Sequence, residues 1–110
     1  MSFHKSCDLV RIEVRGDGTW LLAAAGNGHG ENIPSQLRLD DHIGNSDGYF
    51  SWQGHRFTQT AKNIQLSFRN DGVWLEADIS EVNGGERGRQ GINLSDHIEN
   101  RGGKLVFVGL

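Results

Sequence analysis

Val10-Arg11-Ile12-Glu13-Val14-Arg15 alternates apolar and charged side chains, the two-residue period of a half-buried strand. Gly16-Asp17-Gly18 then marks a turn, and Thr19-Trp20-Leu21-Leu22-Ala23-Ala24 reads as the returning strand. Gly26 to Glu31 has no periodicity and predicts a loop, after which Ser35-Gln36-Leu37-Arg38-Leu39 alternates again. The scheme recurs with strands at Ile64–Phe68 and Val73–Ile79 and a long loop from Ser80 to Gly91. Asp40 and Ser95 follow a Leu and are good N-caps for about one 3₁₀ turn. Asn45-Ser46-Asp47-Gly48 and Asn100-Arg101-Gly102-Gly103 carry Asp-Gly and Gly-Gly, which suit two-residue hairpin loops. Tyr49–Trp52 and Lys104–Phe107 are the second hairpin arms. The expectation is an all-β chain.

These two passes are copies of one unit. Leu37–Gly48 set against Ile92–Gly103 shares Leu39/Leu94, Asp41/Asp96, His42/His97, Ile43/Ile98, Asn45/Asn100 and Gly48/Gly103, whereas unrelated segments of that length share roughly one identity. Earlier in each copy Phe3 meets Phe57, and Asp17-Gly18-Thr19-Trp20-Leu21 meets Asp71-Gly72-Val73-Trp74-Leu75. The repeats are 1–54 and 55–110, joined at Gln53-Gly54-His55-Arg56. Copies of this size are marginal for independent cores, so a shared core about a pseudo-two-fold axis is expected.

Composition narrows the function classes. The net charge of −3 and the lack of a basic stripe argue against nucleic acid, and no apolar run is long enough to span a membrane. The one cysteine, Cys7, permits no internal disulfide and reads as a buried small hydrophobe. With no signal peptide at the start of the sequence, the expected compartment is cytoplasmic, with secretion by another route left open. Neither His42 nor His97 has a His or Cys partner at zinc-like spacing, so metal: none, and a structural hydrogen bond is the expected role of each. Asp40/Asp41 reads as a cap plus a solvent charge, and no nucleophile or phosphate motif is present, so no enzyme and no cofactor is expected.

The pattern Leu-x-x-His-Ile-x-Asn-x-x-Gly at Leu39–Gly48 and Leu94–Gly103 resembles the cyanovirin-N homology family, as do Trp52-Gln53 and Phe57–Leu66 at the joint. The lack of disulfides is most similar to fungal members. The resemblance implies a pseudo-symmetric fold in which each repeat's hairpin packs on the other repeat's three-stranded sheet, with domain A at 1–42 plus 97–110 and domain B at 43–96. It implies a lectin for α1-2-linked mannose of high-mannose glycans, with one shallow pocket per domain. The family's disulfide positions fall on Cys7 with Ala25 and on Ala61 with Ile79, which cannot bridge, so Trp20, Trp74, Trp52 and the matched aliphatics are expected to stabilise the core.

Carried over residue by residue, the family's pocket in domain B falls on Asn45, Ser46, Asp47, Gln53, Arg56, Gln59 and Thr60, with Ser80, Glu81, Val82 and Asn83 as the far wall. In domain A it falls on Ser2, Lys5, Ser6, Gly26, Asn27, Gly28, His29, Asn100, Arg101 and Gly102. Domain B, richer in side chains that complement hydroxyls, is expected to dominate. Asn45, Asn100 and Asp47 serve equally well as turn formers, and for Arg56, Gln59 and Thr60 the two roles weigh evenly. The alternative to a lectin is the same fold used as a protein-interaction module. A monomer is expected, with a hairpin-swapped dimer as the other state the resemblance allows.

Overall fold

The computed structural model describes residues 3–109. Ten strands follow in chain order: β1 (Cys7–Arg15), β2 (Gly18–Gly26), β3 (Asn32–Arg38), β4 (Ile43–Ser46), β5 (Tyr49–Trp52), β6 (Ala61–Arg69), β7 (Gly72–Ser80), β8 (Glu86–Asn93), β9 (Ile98–Asn100) and β10 (Leu105–Phe107). Short 3₁₀ turns occupy Phe3–Lys5, Leu39–Asp41, Phe57–Thr60 and Leu94–Asp96. Antiparallel sheets β1-β2-β3 and β6-β7-β8 are accompanied by the hairpins β4-β5 and β9-β10. The hairpins leave their own copies: β5 packs on β8 and β10 packs on β3. The result is an elongated, all-β molecule of 50 × 29 × 24 Å.

Alternation decides which face of each sheet is buried. In β2, Leu21, Ala23 and Ala25 point inward, and in β7 their counterparts Leu75, Ala77 and Ile79 do the same. They meet Phe3, Leu39, Ile43, Phe57, Leu94, Ile98 and Leu105, all essentially inaccessible to solvent. Each such aliphatic or aromatic side chain contributes roughly 1.5–3 kcal/mol by leaving water. Trp52 packs against this core, as expected. Trp20 and Trp74 do not belong to it. They lie on the outer sheet faces, where Asp17 and Asp71 accept their indole N–H bonds at 3.0 and 2.9 Å and Arg15 and Arg69 cover their rings.

Two further expectations need correction. The stretch from Ser80 to Gly91 is not one long loop, because β8 begins at Glu86. Its residues lack apolar alternation because Glu86, Arg89 and Gly91 are exposed, while Gly88 and Gln90, opposite Ile79 and Ala77, bring no apolar side chain to the inner face. Nor do Asp40 and Ser95 cap the 3₁₀ turns. Arg38 and Asn93 hold the cap positions, and the Asn93 side chain accepts from the Ser95 N–H.

Asp40 instead lies inside the molecule, 2% exposed. Its Oδ1 accepts from the Thr19 N–H at 2.8 Å and the Thr58 hydroxyl at 2.6 Å, and its Oδ2 accepts from the Thr58 N–H at 3.1 Å. One carboxylate thereby ties β2 to the 3₁₀ turn that opens the second copy. In the other half Ser95 takes its place, accepting from the Val73 N–H at 3.2 Å and sharing a 2.8 Å bond with His4 Nδ1.

Between the halves lies a paired aromatic seam. His42 stacks on Phe107 with centroids 4.4 Å apart, and His97 meets Trp52 edge-on at 4.9 Å. The carbonyls of His42 and His97 accept from Gln53 N–H and Val108 N–H at 2.8 and 2.7 Å. The duplicated histidines therefore act through ring packing and backbone bonds. Burial, opposed by Asp41 and aided by His55, pushes the His42 pKa below its ordinary 6.5, which favours the neutral ring in this stack. The joint is tight as well: a Cβ on Gly54 would lie 2.8 Å from the Gly44 Cα, so the glycines at these two positions serve close backbone approach.

Replacing Asp40 with Ala strands the N–H groups of Thr19 and Thr58, while the two threonine hydroxyls keep their bond to each other, and is expected to cost about 3 kcal/mol in urea unfolding, against about 1 kcal/mol for Ser95→Ala. Equal costs for the two would show that the carboxylate has no special part.

Candidate functional site

Each hairpin opens on an asparagine whose amide is fully used. Asn45 Nδ2 donates to Thr60 Oγ1 at 2.9 Å and to the Ser80 carbonyl at 2.8 Å, while its Oδ1 accepts from the Gly48 N–H at 2.7 Å. Asn100 Nδ2 donates to Ser6 Oγ and to the Gly26 carbonyl, both at 2.9 Å, and its Oδ1 accepts from the Gly103 N–H at 2.9 Å. These side chains do two jobs at once, closing the hairpin turn and fastening its tip to the other copy's sheet. Thr60 and Ser6 are the matching receptors, each also donating a hydroxyl back to its own 3₁₀ turn, at Phe57 and Phe3.

Around the first clamp the structure gathers the second-half hollow. Asp47, in the left-handed region at φ 48°, accepts from the Val82 N–H through Oδ1 at 3.0 Å. Ser46 and Asp47 are exposed at the tip, facing the Glu81–Gly85 loop, which closes on itself through the Glu81 N–H to Gly85 carbonyl bond at 2.6 Å. Asn83 Oδ1 accepts from the Gly85 N–H within that loop. Arg56 and Gln59 lead elsewhere: with Arg15, Asp17, Arg38, Asp40 and Thr58 they line a separate cleft of about 390 Å³. Gln53, also left-handed at φ 67°, lies at the joint beside His42.

The first-half hollow is built on Ser6, Gly26 and Asn100. Asn27 Oδ1 accepts from the His29 N–H at 2.8 Å, and its Nδ2 donates to Glu31 at 2.9 Å, so the loop's one amide side chain is spent on the loop itself. Lys5, Gly28, His29, Arg101 and Gly102 are exposed around it, and Arg101 pairs with Glu99. Ser2 lies outside the described residues. Carboxylate acceptors directed at the opposite wall are thus found in the second hollow, at Asp47 and Glu81.

Reading the sequence missed Arg87, Tyr49 and Glu31. Arg87 donates through Nε to the Asp47 carbonyl at 3.1 Å and through Nη2 to Glu81 Oε2 at 3.0 Å, with its guanidinium 4.0 Å above the Tyr49 ring. The signal that could have found it is the register of β8, hidden by taking this stretch as loop. Among the described residues no three His, Cys, Asp or Glu side chains are grouped to hold a metal ion. Cys7 is half-buried, and burial beside Asp8 pushes its thiol pKa up, which keeps it protonated.

Comparison with known proteins returns the same overall fold. The CVNH domain model matches residues 3–106. The chain belongs to the CVNH family. It is similar to a cyanovirin-N homolog of Neurospora crassa, 36% identical over 108 residues, with 96% of each chain covered. Its fold is similar to the solution structure of a CVNH protein of Gibberella zeae, at 38% identity and a TM-score of 0.85 over 97% of each chain. It is also similar to microvirin solved in a complex with mannobiose, at 30% identity and a TM-score of 0.80 over 96% of this chain and 97% of that one. Fungal relatives of this family fit the expectation from the missing disulfides. Cys7 stands directly opposite Ala25, and Ala61 opposite Ile79, in the two sheets.

Asn45→Ala leaves the Ser80 carbonyl and the Gly48 N–H without partners and is expected to lower stability by about 2 kcal/mol in thermal or urea unfolding. An unchanged midpoint would mean that the amide does not fasten the hairpin.

Proposed function

We propose that the chain is a non-enzymatic lectin that binds α1-2-linked mannose of high-mannose glycans, chiefly in the second-half hollow. The observation that carries this reading is the meeting of two carboxylates, Asp47 on the hairpin tip and Glu81 on the loop of the other copy, where Asp47 accepts from the Val82 N–H. Carboxylate oxygens accept from two neighbouring hydroxyls at once. The likeness to microvirin, solved with mannobiose, supports the same ligand class. Each sugar hydrogen bond contributes only about 0.5–1.5 kcal/mol net, so a single recess binds weakly and gains when a branched glycan reaches both. No catalytic pair is part of this reading, because Glu76 and Asp78, the half-buried carboxylates of β7, are committed to Arg69 and Arg89.

A second reading has one observation in its favour. The first-half wall from Gly26 to Gly30 offers glycine backbone and an amide turned back on its own loop. That surface fits use of the same fold as a protein-interaction module.

Titrating α1-2-mannobiose into ¹⁵N-labelled protein is expected to move the amides of Asp47, Glu81 and Val82 first. Shifts confined to Gly26–Gly30 and Asn100 would reverse the ranking of the hollows. No shift with mannobiose, together with an empty high-mannose glycan array, would favour the interaction module.

A further inference from the structure

The duplication supplies an internal control for the two recesses. Gly48 and Gly103 occupy matching hairpin positions at φ 92° and 97°, and each rests on a side chain from the third strand of the opposite sheet. A Cβ on Gly103 would lie 2.9 Å from Ile33 Cγ1, and one on Gly48 would lie 2.8 Å from Arg87 Nε. The same seat beneath the tip is therefore aliphatic in one half and a guanidinium in the other.

Those two side chains do different work. Arg87 bonds the tip through the Asp47 carbonyl and the loop through the Glu81 carboxylate, and its guanidinium carbon sits over the Tyr49 ring. Its side chain is 27% exposed and that of Glu81 26% exposed, so the pair is shielded more than an ordinary surface bridge. Together with the bond from Val82 N–H to Asp47, this gives two polar links from the second copy to the hairpin tip, while the Arg87–Glu81 bond ties β8 to its own loop. Among the described residues, no side-chain hydrogen bond joins the Arg101–Gly103 tip to the Asn27–Glu31 loop in the first half.

We propose that Arg87 is the positioning residue that sets the affinity of the second hollow, by holding the backbone of the Asp47 tip and the Glu81 carboxylate at one spacing before the sugar arrives. This rests on the lectin reading above. A wall ordered in advance removes a cost that binding would otherwise bear, while a loose wall must be ordered by the ligand itself. The planar fork is what the geometry uses: Nε and Nη2 reach two acceptors on different segments, and the guanidinium carbon sits over the tyrosine ring. A lysine provides the charge without that fork, and a methionine fills the same space over Tyr49 without any donor.

The test is a ¹⁵N titration with α1-2-mannobiose of the full chain as wild type, Arg87→Met and Arg87→Lys, with thermal unfolding of each. The expected result is a second-hollow Kd raised about tenfold in Arg87→Met and by less in Arg87→Lys. First-half amides and the melting temperature should change little. A role limited to packing on Tyr49 would leave Arg87→Met binding like wild type, and that result overturns the proposal. So does wild-type binding in Arg87→Lys, which carries the test on its own if the methionine variant does not fold. Wild-type binding confined to the first hollow overturns it too. A wild type that shifts in neither hollow sinks the lectin reading and this proposal together, whereas binding unaffected by both substitutions sinks this proposal alone.

Discussion

A three-stranded sheet of about fifty residues exposes an apolar face that it has too little chain to cover. In this molecule the cover comes from the other copy. Hairpin β4-β5 closes on β8, hairpin β9-β10 closes on β3, and the side chains between them form one continuous core. Asn45 and Asn100 hold this exchange in register, because each amide satisfies its own turn and two acceptors of the other copy, one on its sheet and one just before it. The hollows follow from it. They lie where a hairpin tip meets a loop of the opposite copy, so their two walls belong to different repeats and their shape depends on how firmly the tip is fastened.

Within that shared frame the halves have diverged where the common core does not constrain them. A buried carboxylate at Asp40 is answered by the Ser95 hydroxyl with His4. At the matched strand irregularities of β1 and β6 the left-handed residue is Leu9 in one case, 75% exposed, and Asn63 in the other, bonded to Asp78. On the outer face of β7, Glu76 and Asp78 join Arg69 and Arg89 in linked ion pairs, where β2 has Leu22 and Ala24. Arg87 against Ile33 belongs to the same series. The apolar pairs Phe3/Phe57, Leu21/Leu75, Leu39/Leu94 and Ile43/Ile98 that close the core are kept, and apart from the buried Asp40/Ser95 pair these differences face outward or lie beside a hairpin tip.

That division also explains what was legible in the chain. Alternation at Val10–Arg15 and Ile64–Phe68, the Asp-Gly and Gly-Gly turns and the repeated Leu-x-x-His-Ile-x-Asn pattern each fall on the element they announce, although the last apolar residues of the two alternating runs, Val14 and Phe68, face solvent. β8 was not legible, because its inward positions include Gly88 and Gln90 beside Ile92, and the covering hairpin comes from far away in sequence. Asp40 looked like a cap since Asp before a short turn is ordinary, while its partners Thr19 and Thr58 lie on distant segments. For the hollows, the pattern located the clamp residues and the facing loop. It could not separate Arg56 and Gln59 from that group, nor add Arg87, because those assignments depend on which strand passes beneath which tip.

The central claim is that neither copy can close a core without the other's hairpin, and separating the copies tests it most directly. Segments 1–54 and 55–110, produced apart and followed by circular dichroism during urea titration, should each lack a cooperative transition, and an equimolar mixture should regain one. A sharp unfolding transition in either segment alone, at concentrations where it is monomeric, would contradict the account.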